Sequence, residues 1–341
     1  MLKLCSKWDS FRGQGGKLSL SCQKPIKFGG IHIKTIRIGT RGSELALVQA
    51  RFIAEKIKTK YRDISLEIVP IKTRGDRMQN VSLAKIGGKG VFVKEIEEAL
   101  LRDEIGIAVH SMKDVPVELP DGLEIAVVPE REDPRDVLIS KNNVKMEELP
   151  KGAKIGTGSL RRKMQLLNFL PDIEVVPIRG NLGTRIKKIE TEGLEGIIAA
   201  AAGMRRMGWA AKVSQYIPVE TMLPSAGQGV LGIEVRRDDD KIREILSFLN
   251  HGETFTEVSA ERAFLRTLGG GCQVPIACIG RKRGDMLILR GLVGSTDGKI
   301  IIEDEVRGAI EDGEKLGNSL AETILSRGGK AVLDSVYGEL C

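Results

Sequence analysis

The chain runs to 341 residues, 41% of them hydrophobic and 29% charged, an ordinary globular composition with room for two or three domains. No apolar run nears the ~20 residues of a membrane-spanning helix, so no membrane partner is expected. The formal net charge of +7 is concentrated in residues 1–34, which hold seven Lys or Arg and one Asp; the rest is close to neutral, and 4% aromatic content gives bases little to stack on, so no nucleic-acid partner is expected.

Five cysteines (Cys5, Cys22, Cys272, Cys278, Cys341) are odd in number and scattered, which argues against a disulfide framework and for a reducing, cytoplasmic setting. Three histidines (His32, His110, His251) show no metal-ligand spacing, so no metal is expected. Residues 1–34 are Lys-, Ser- and Gly-rich and acid-poor. They read as a disordered basic tail, either dispensable or a transit peptide to a plastid or other organelle.

The body opens with a strand over 35–39, a turn Thr40-Arg41-Gly42-Ser43, and a helix with Ala46, Ala50, Ile53 and Ile57 on one face. Strands follow near 66–70, 105–109, 123–128 and 137–140, with a helix over 92–101. The opening pattern then returns as a strand over 153–156, a turn Thr157-Gly158, and a helix that starts with Ser159-Leu160-Arg161-Arg162-Lys163. Each Ile-Gly-Thr turn places a helix start at the C-terminal edge of a strand, where free N–H groups and the helix dipole favour an anion. The repeat predicts two similar α/β lobes facing a cleft; a coincidence of strand-turn-helix grammar is the alternative.

Strands at 174–178, 197–201 and 230–235 and a helix near 184–192 continue an α/β pattern with largely parallel sheets. From about residue 252 the order becomes a helix over 254–268, three strands (276–281, 286–293, 300–306) and a helix near 314–326, a small α+β domain. In the first of these helices Thr254 and Glu257 have capping-box spacing, and Ala260, Phe264 and Leu268 share a face. The expected domains are 35–130 with 228–250, then 131–227, then 251–341.

Cations recur beside glycines at turns: Arg41, Lys85 and Lys89, Arg161 and Arg162, Arg179 and Arg185, and Arg205-Arg206. Two arginines and a lysine in the first turn of one helix are unfavourable by some tenths of a kcal/mol each unless an anion sits there. Guanidinium forks take carboxylates bidentately, so the set suggests a ligand with several carboxylates or phosphates; solvated surface charge is the other reading. At the end of the strand near His110, Lys113 and Asp114 are presented together, and Asp114 suits the stabilising of positive charge on a substrate. The run Gly269-Gly270-Gly271-Cys272 stops the 254–268 helix and leaves a thiol on a loop without neighbouring side chains. From these residues alone, Cys272 is either a reactive thiol or an inert neighbour of a helix C-cap.

Seven stretches in order, Ile38-Gly39-Thr40-Arg41-Gly42-Ser43-Glu44-Leu45-Ala46, Lys89-Gly90-Val91-Phe92-Val93-Lys94-Glu95, His110-Ser111-Met112-Lys113-Asp114-Val115-Pro116, Gly156-Thr157-Gly158-Ser159-Leu160-Arg161-Arg162, Arg179-Gly180-Asn181-Leu182-Gly183-Thr184-Arg185, Pro224-Ser225-Ala226-Gly227-Gln228-Gly229 and the Cys272 loop, resemble the porphobilinogen deaminase (hydroxymethylbilane synthase) family over residues 35–341. The resemblance implies a three-domain α/β fold: two lobes like type II periplasmic binding proteins and a small C-terminal α+β domain. It implies a transferase, acting as a monomer, that condenses four porphobilinogen molecules head to tail onto a covalent dipyrromethane, releases ammonia at each step, and hydrolyses off hydroxymethylbilane for tetrapyrrole biosynthesis. By the same resemblance, Cys272 carries the dipyrromethane as a thioether and Asp114 assists ammonia loss and steadies cationic intermediates. Arg41, Ser43, Ser111, Lys113, Thr157, Ser159, Arg161, Arg162, Arg179, Gly180, Arg185 and Arg206 correspond to cofactor- and substrate-binding positions, with Lys85 and Lys89 as further contacts. Gly42 and Gly158 stand where other members often have a larger polar residue, and Cys278 and Cys341 match no family role. A non-enzymatic, two-lobed anion-binding protein is the alternative reading.

Overall fold

The computed structural model describes residues 35–77, 90, 92–271 and 274–340. The basic tail, Lys85, Lys89, Cys272 and Cys341 lie outside these residues. Three sheets organise the body. The first contains β1 (Thr35–Arg41), β2 (Ser65–Ile71), β3 (Ile107–Ser111), β4 (Leu123–Val127) and β10 (Leu231–Arg236), in the order β2-β1-β3-β10-β4. The second contains β5 (Asp136–Ser140), β6 (Lys154–Gly156), β7 (Glu174–Val176), β8 (Gly196–Ala200) and β9 (Gln215–Tyr216), in the order β7-β6-β8-β5-β9.

The two orders superimpose strand for strand, so the repeated turn does mark a repeated lobe. The sheets are mixed rather than largely parallel. β1 and β6 pair in parallel with both neighbours, whereas β10 and β5 run antiparallel to theirs. The cause is connectivity: β10 and β5 are the strands by which the chain enters each lobe from the other, through segments 128–135 and 217–230, without the helical crossover that parallel pairing requires.

Helix α1 (Glu44–Lys60) follows β1 and buries Ala46, Ala50, Ile53 and Ile57. Helix α2 (Lys94–Leu101) buries Ile96, Ala99 and Leu100 against Ile105, Ala108 and Leu123. In the second lobe, α3 (Leu160–Phe169), α4 (Leu182–Thr191) and α5 (Ala201–Arg206) follow β6, β7 and β8, and α6 (Asp240–Leu246) follows β10.

The third sheet, β11 (Ile276–Arg283), β12 (Met286–Gly294) and β13 (Ile301–Ala309), is an antiparallel meander. Helices α7 (Gly252–Thr267), α8 (Gly313–Ile324) and α9 (Lys330–Leu340) belong to it. Phe264 of α7 is fully buried among Leu287, Leu289, Val293, Leu320 and Ile324; truncating such a ring to alanine costs about 3–5 kcal/mol. Ala260, Phe264 and Leu268 share the buried face as expected, but the capping differs. His251 caps α7, accepting from the Thr254 N–H at 3.3 Å, while Thr254 Oγ1 accepts from the Arg131 N–H at 3.1 Å.

Candidate active site

Each lobe contributes a strand end and a helix start. In the first, β1 delivers Arg41, and Ser43 caps α1 by accepting the Ala46 N–H at 3.4 Å. Arg41 is aimed by two neighbours: its Nη2 donates to Asp76 Oδ1 at 2.5 Å, and its guanidinium lies 4.2 Å from the centre of the Phe92 ring. β3 ends at Ser111, whose Oγ meets Gln49 Nε2 at 3.0 Å. A single turn, Met112–Asp114, then presents Lys113 and Asp114. Behind that turn His110 is buried, its Nε2 2.9 Å from Glu234 Oε2.

In the second lobe Ser159 caps α3 by accepting the Arg162 N–H at 3.4 Å, and the buried Thr157 accepts the Ser159 N–H at 3.3 Å. Gly158 admits nothing larger without a shift, because a Cβ there would stand 2.7 Å from the Ile178 carbonyl oxygen. After β7, the Gly180 carbonyl accepts Arg185 Nε at 2.8 Å, which orients that side chain.

Arg161 and Arg162 are 4% and 6% exposed, far from the solvated turn cations of the plainer expectation, and both close on the fully buried Asp136 at the head of β5. Arg161 Nη1 lies 2.8 Å from Asp136 Oδ2 and donates to the Leu223 carbonyl at 2.7 Å. Arg162 donates through Nε and Nη2 to Asp136 Oδ1 at 3.1 and 2.7 Å, and through Nη1 to the Ile198 carbonyl at 3.1 Å. Gln228 completes the group. Its Nε2 donates to Asp136 Oδ1 at 3.0 Å and to the Pro134 carbonyl at 2.6 Å, while its Oε1 accepts Lys113 Nζ at 3.4 Å. A residue on the second crossover thus links the first lobe's lysine to the second lobe's acid. Gly227 beside it has φ +70°, and a Cβ there would stand 2.9 Å from Met112 Cβ, so the crossover rests directly on the Asp114 turn.

The electrostatics join the two halves into one cleft. Burial, then Arg162, push the Lys113 ammonium down to about 8, with Asp114 and Asp136 acting the other way. Burial and Arg162 likewise bring Arg185 down to about 10, and Asp114, Arg179 and Arg41 also act on it. Burial lowers Arg179 and Arg161 below the usual guanidinium range, Asp136 opposing the effect at Arg161. Asp136 is itself held near 2: burial disfavours its charge, and Arg161 and Arg162 outweigh burial. Arg206 is set apart, its Nη2 donating to the Gly229 carbonyl at 2.7 Å at the crossover, and burial lowers it to about 10.

Among the described residues, Arg41, Lys113, Arg161, Arg162, Arg179 and Arg185 therefore face Asp76, Asp114 and Asp136 with an excess of positive charge. Cations partly stripped of water and left in excess recognise a ligand bearing several carboxylates. Asp136 and Gln228 were not singled out as functional residues from the sequence. The available signal was an acid at the head of the apolar run Val137-Leu138-Ile139, where an unpaired charge is too costly to bury.

Two family models match the chain. One, described as "Porphobilinogen deaminase, dipyromethane cofactor binding domain", matches residues 36–244, and the other, "Porphobilinogen deaminase, C-terminal domain", matches residues 255–326. A porphobilinogen deaminase of Syntrophus aciditrophicus (strain SB) is 56% identical over 299 residues, covering 88% of this chain and 98% of the relative. That of Geobacter sp. (strain M21) is 52% identical over 305 residues, covering 89% and 96%. Among solved structures, the periplasmic aliphatic sulphonate binding protein SsuA from Escherichia coli aligns with a TM-score of 0.36 and 14% identity, covering 69% of this chain and 70% of that one; the two-lobed architecture rests on the matching sheet orders instead.

Proposed function

Because the chain belongs to the porphobilinogen deaminase family, we propose that the cleft between its two lobes carries out the deaminations, with Asp114 as the catalytic carboxylate and Cys272 as the cofactor's attachment point. The protein is a transferase that condenses four porphobilinogen molecules onto a dipyrromethane cofactor and releases hydroxymethylbilane. In each addition the aminomethyl C–N bond breaks, a C–C bond forms to the terminal pyrrole carbon, and the proton of that carbon balances the ammonia released.

The donor set fits the cofactor. Each pyrrole bears two carboxylates, and the cleft offers Arg41, Lys113, Arg179 and Arg185, with Arg41 aimed by Asp76 and Arg185 by the Gly180 carbonyl. When bound, the dipyrromethane supplies the pyrrole end on which the chain grows. The protein's residues do the rest: Arg41, Lys113, Arg179 and Arg185 take carboxylates, and the N–H groups beside Ser43 and Ser159 add donors at two helix starts. Arg161 and Arg162, pinned by Asp136, hold the Asp114 side of the cleft positive while offering only their remaining N–H groups. Asp114 stabilises positive charge as ammonia departs. Lys85, Lys89 and Arg206 are assigned to the lengthening chain.

The three sheets support domain limits of 35–130 with 228–250, 131–227 and 251–341. No helix among the described residues is long and apolar enough to cross a membrane, and we assign the protein to the cytoplasm, as a monomer. The observation that carries the reading is the excess of partly dehydrated cations converging on Asp114. Ammonia release and linear tetrapyrrole formation from porphobilinogen test it: Asp114→Ala should keep its cofactor and almost stop consuming substrate, and near-normal turnover would remove Asp114 from its role.

A further inference from the structure

Two consecutive residues of α7 serve different neighbours. Glu261 is fully buried and accepts from the Gly227 N–H at 2.6 Å, the Gly280 N–H at 2.8 Å and Arg131 Nη2 at 2.7 Å. Arg262 reaches the first lobe instead. Its Nη1 donates to the Val115 carbonyl at 3.2 Å, and its Nη2 to the carbonyls of Pro116 at 2.6 Å and Val117 at 3.0 Å. These three carbonyls begin one residue after Asp114.

Three consecutive carbonyls gathered by one guanidinium fix the path of that segment, because the planar fork holds its donors in a set geometry. The turn itself is closed across Asp114 by the Val115 N–H donating to the Met112 carbonyl at 3.2 Å, and it is tied to the second crossover by the Met112 N–H donating to the Val230 carbonyl at 2.9 Å. The catalytic turn is therefore secured by β3 before it and by a side chain of the third domain after it. From Arg262, α7 continues to its C-cap at Leu268, about 9 Å at 1.5 Å per residue. Gly269–Gly271 then lead to Cys272, and Tyr337 Oη of α9 donates to the Gly269 carbonyl at 3.1 Å. The helix is thus a strut, clamped to the Asp114 turn at one point and followed at its C-terminal end by Gly269, which Tyr337 holds.

We propose that Arg262 is a positioning residue of the reaction, which keeps the turn presenting Asp114 at a set offset from the glycines Gly269–Gly271 that precede the cofactor's cysteine in sequence. The inference rests on the roles given above to Asp114 and Cys272. A contact that only glued the domains together would lower the unfolding midpoint and leave turnover per folded, loaded molecule unchanged.

Full-length Arg262→Ala and Arg262→Lys separate these cases. Intact mass should show both carrying one dipyrrole per chain, since the bonds Arg262 makes to 115–117 are to backbone carbonyls. Assayed well below either unfolding midpoint, kcat per loaded chain should fall about tenfold to a hundredfold in Arg262→Ala, the cost expected when a catalytic group is displaced by about an ångström. The KM for porphobilinogen should stay within about twofold. Arg262→Lys keeps the charge but lacks the fork, and should recover only part of kcat. After a short pulse of porphobilinogen, the masses of covalent adducts should show both variants stalled at fewer added units than the parent. Parent-like kcat in loaded, folded Arg262→Ala would overturn the proposal; if that variant does not fold, parent-like kcat in Arg262→Lys would do the same. A parent protein without a bound dipyrrole, or without ammonia release, would instead sink the reading beneath it.

Discussion

Replacing Asp136 by asparagine removes the one carboxylate that two buried guanidinium groups share. In the native protein Asp136 Oδ1 accepts from Arg162 twice and from Gln228, and Oδ2 pairs with Arg161. Asparagine keeps one oxygen and turns an amide donor toward groups that are themselves donors, leaving buried positive charge uncompensated. Breaking a buried pair from one side costs about 3–5 kcal/mol. With a urea dependence of about 3 kcal/mol per molar, the unfolding midpoint should drop by about 1–2 M. Trp209 packs against the second lobe's core and reports that lobe by fluorescence. A second signature lies in acid. Because the Asp136 carboxyl is held near 2, below its ordinary value, its stabilisation is full above about pH 4 and is lost as pH falls through about 2. That limb, about 2 kcal/mol in the parent, should be missing from Asp136→Asn. A midpoint shift under about 0.3 M, or an unchanged acid limb, would refute the claim that Asp136 is the counter-charge both arginines share.

Two further outcomes follow from the titrating groups. Burial lowers the Lys113 ammonium to about 8, and the cofactor's carboxylates act the other way, so in the loaded enzyme the KM for porphobilinogen should rise only as pH climbs above about 8, where the charged form that attracts carboxylates is lost. Lys113→Arg, which keeps its charge, should move that rise to higher pH; identical profiles would exclude Lys113 as its source. Glu97 is buried in the first lobe, and burial, then Glu234 and Glu98, raise its carboxyl to about 7. Its unfolded value is lower, so this group costs stability increasingly as pH rises from about 4.5 to 7. That shift corresponds to about 3 kcal/mol, which solvent screening of a partly buried group reduces, so Glu97→Gln should stabilise the protein at pH 8 by roughly 2 kcal/mol and have little effect near pH 4, as thermal unfolding at the two pH values will show.

The sequence showed what is local and periodic. The two Ile-Gly-Thr turns correctly marked the equivalent positions of two lobes, because a strand edge followed by a helix start is written in adjacent residues; Ser43 and Ser159 prove to cap the two helices. The direction of β5 and β10 was not legible, since it depends on which lobe the chain is leaving. Helix α9 was missed because Arg327-Gly328-Gly329 reads as a stop. The backbone passes it with Gly328 at φ +103° and resumes a helix whose Val332, Leu333 and Val336 complete the third core.

At the site, residue types were easier to read than orientations. Arg161 and Arg162 appeared as cations awaiting a ligand, and the structure turns much of their hydrogen-bonding capacity inward, toward an acid 25 and 26 residues earlier in the chain. Thr254 likewise looked like a helix cap and instead receives the backbone of Arg131 on the first crossover. In each case the deciding partner comes from a distant segment, which no local pattern encodes.

The central claim, that the Cys272 thiol tethers a polycarboxylated primer within a cation-lined cleft, is tested most directly by the intact mass of the purified protein. The account predicts a chain heavier by one dipyrromethane, with the added mass absent from Cys272→Ser. An active protein whose mass equals that of the bare polypeptide would contradict it.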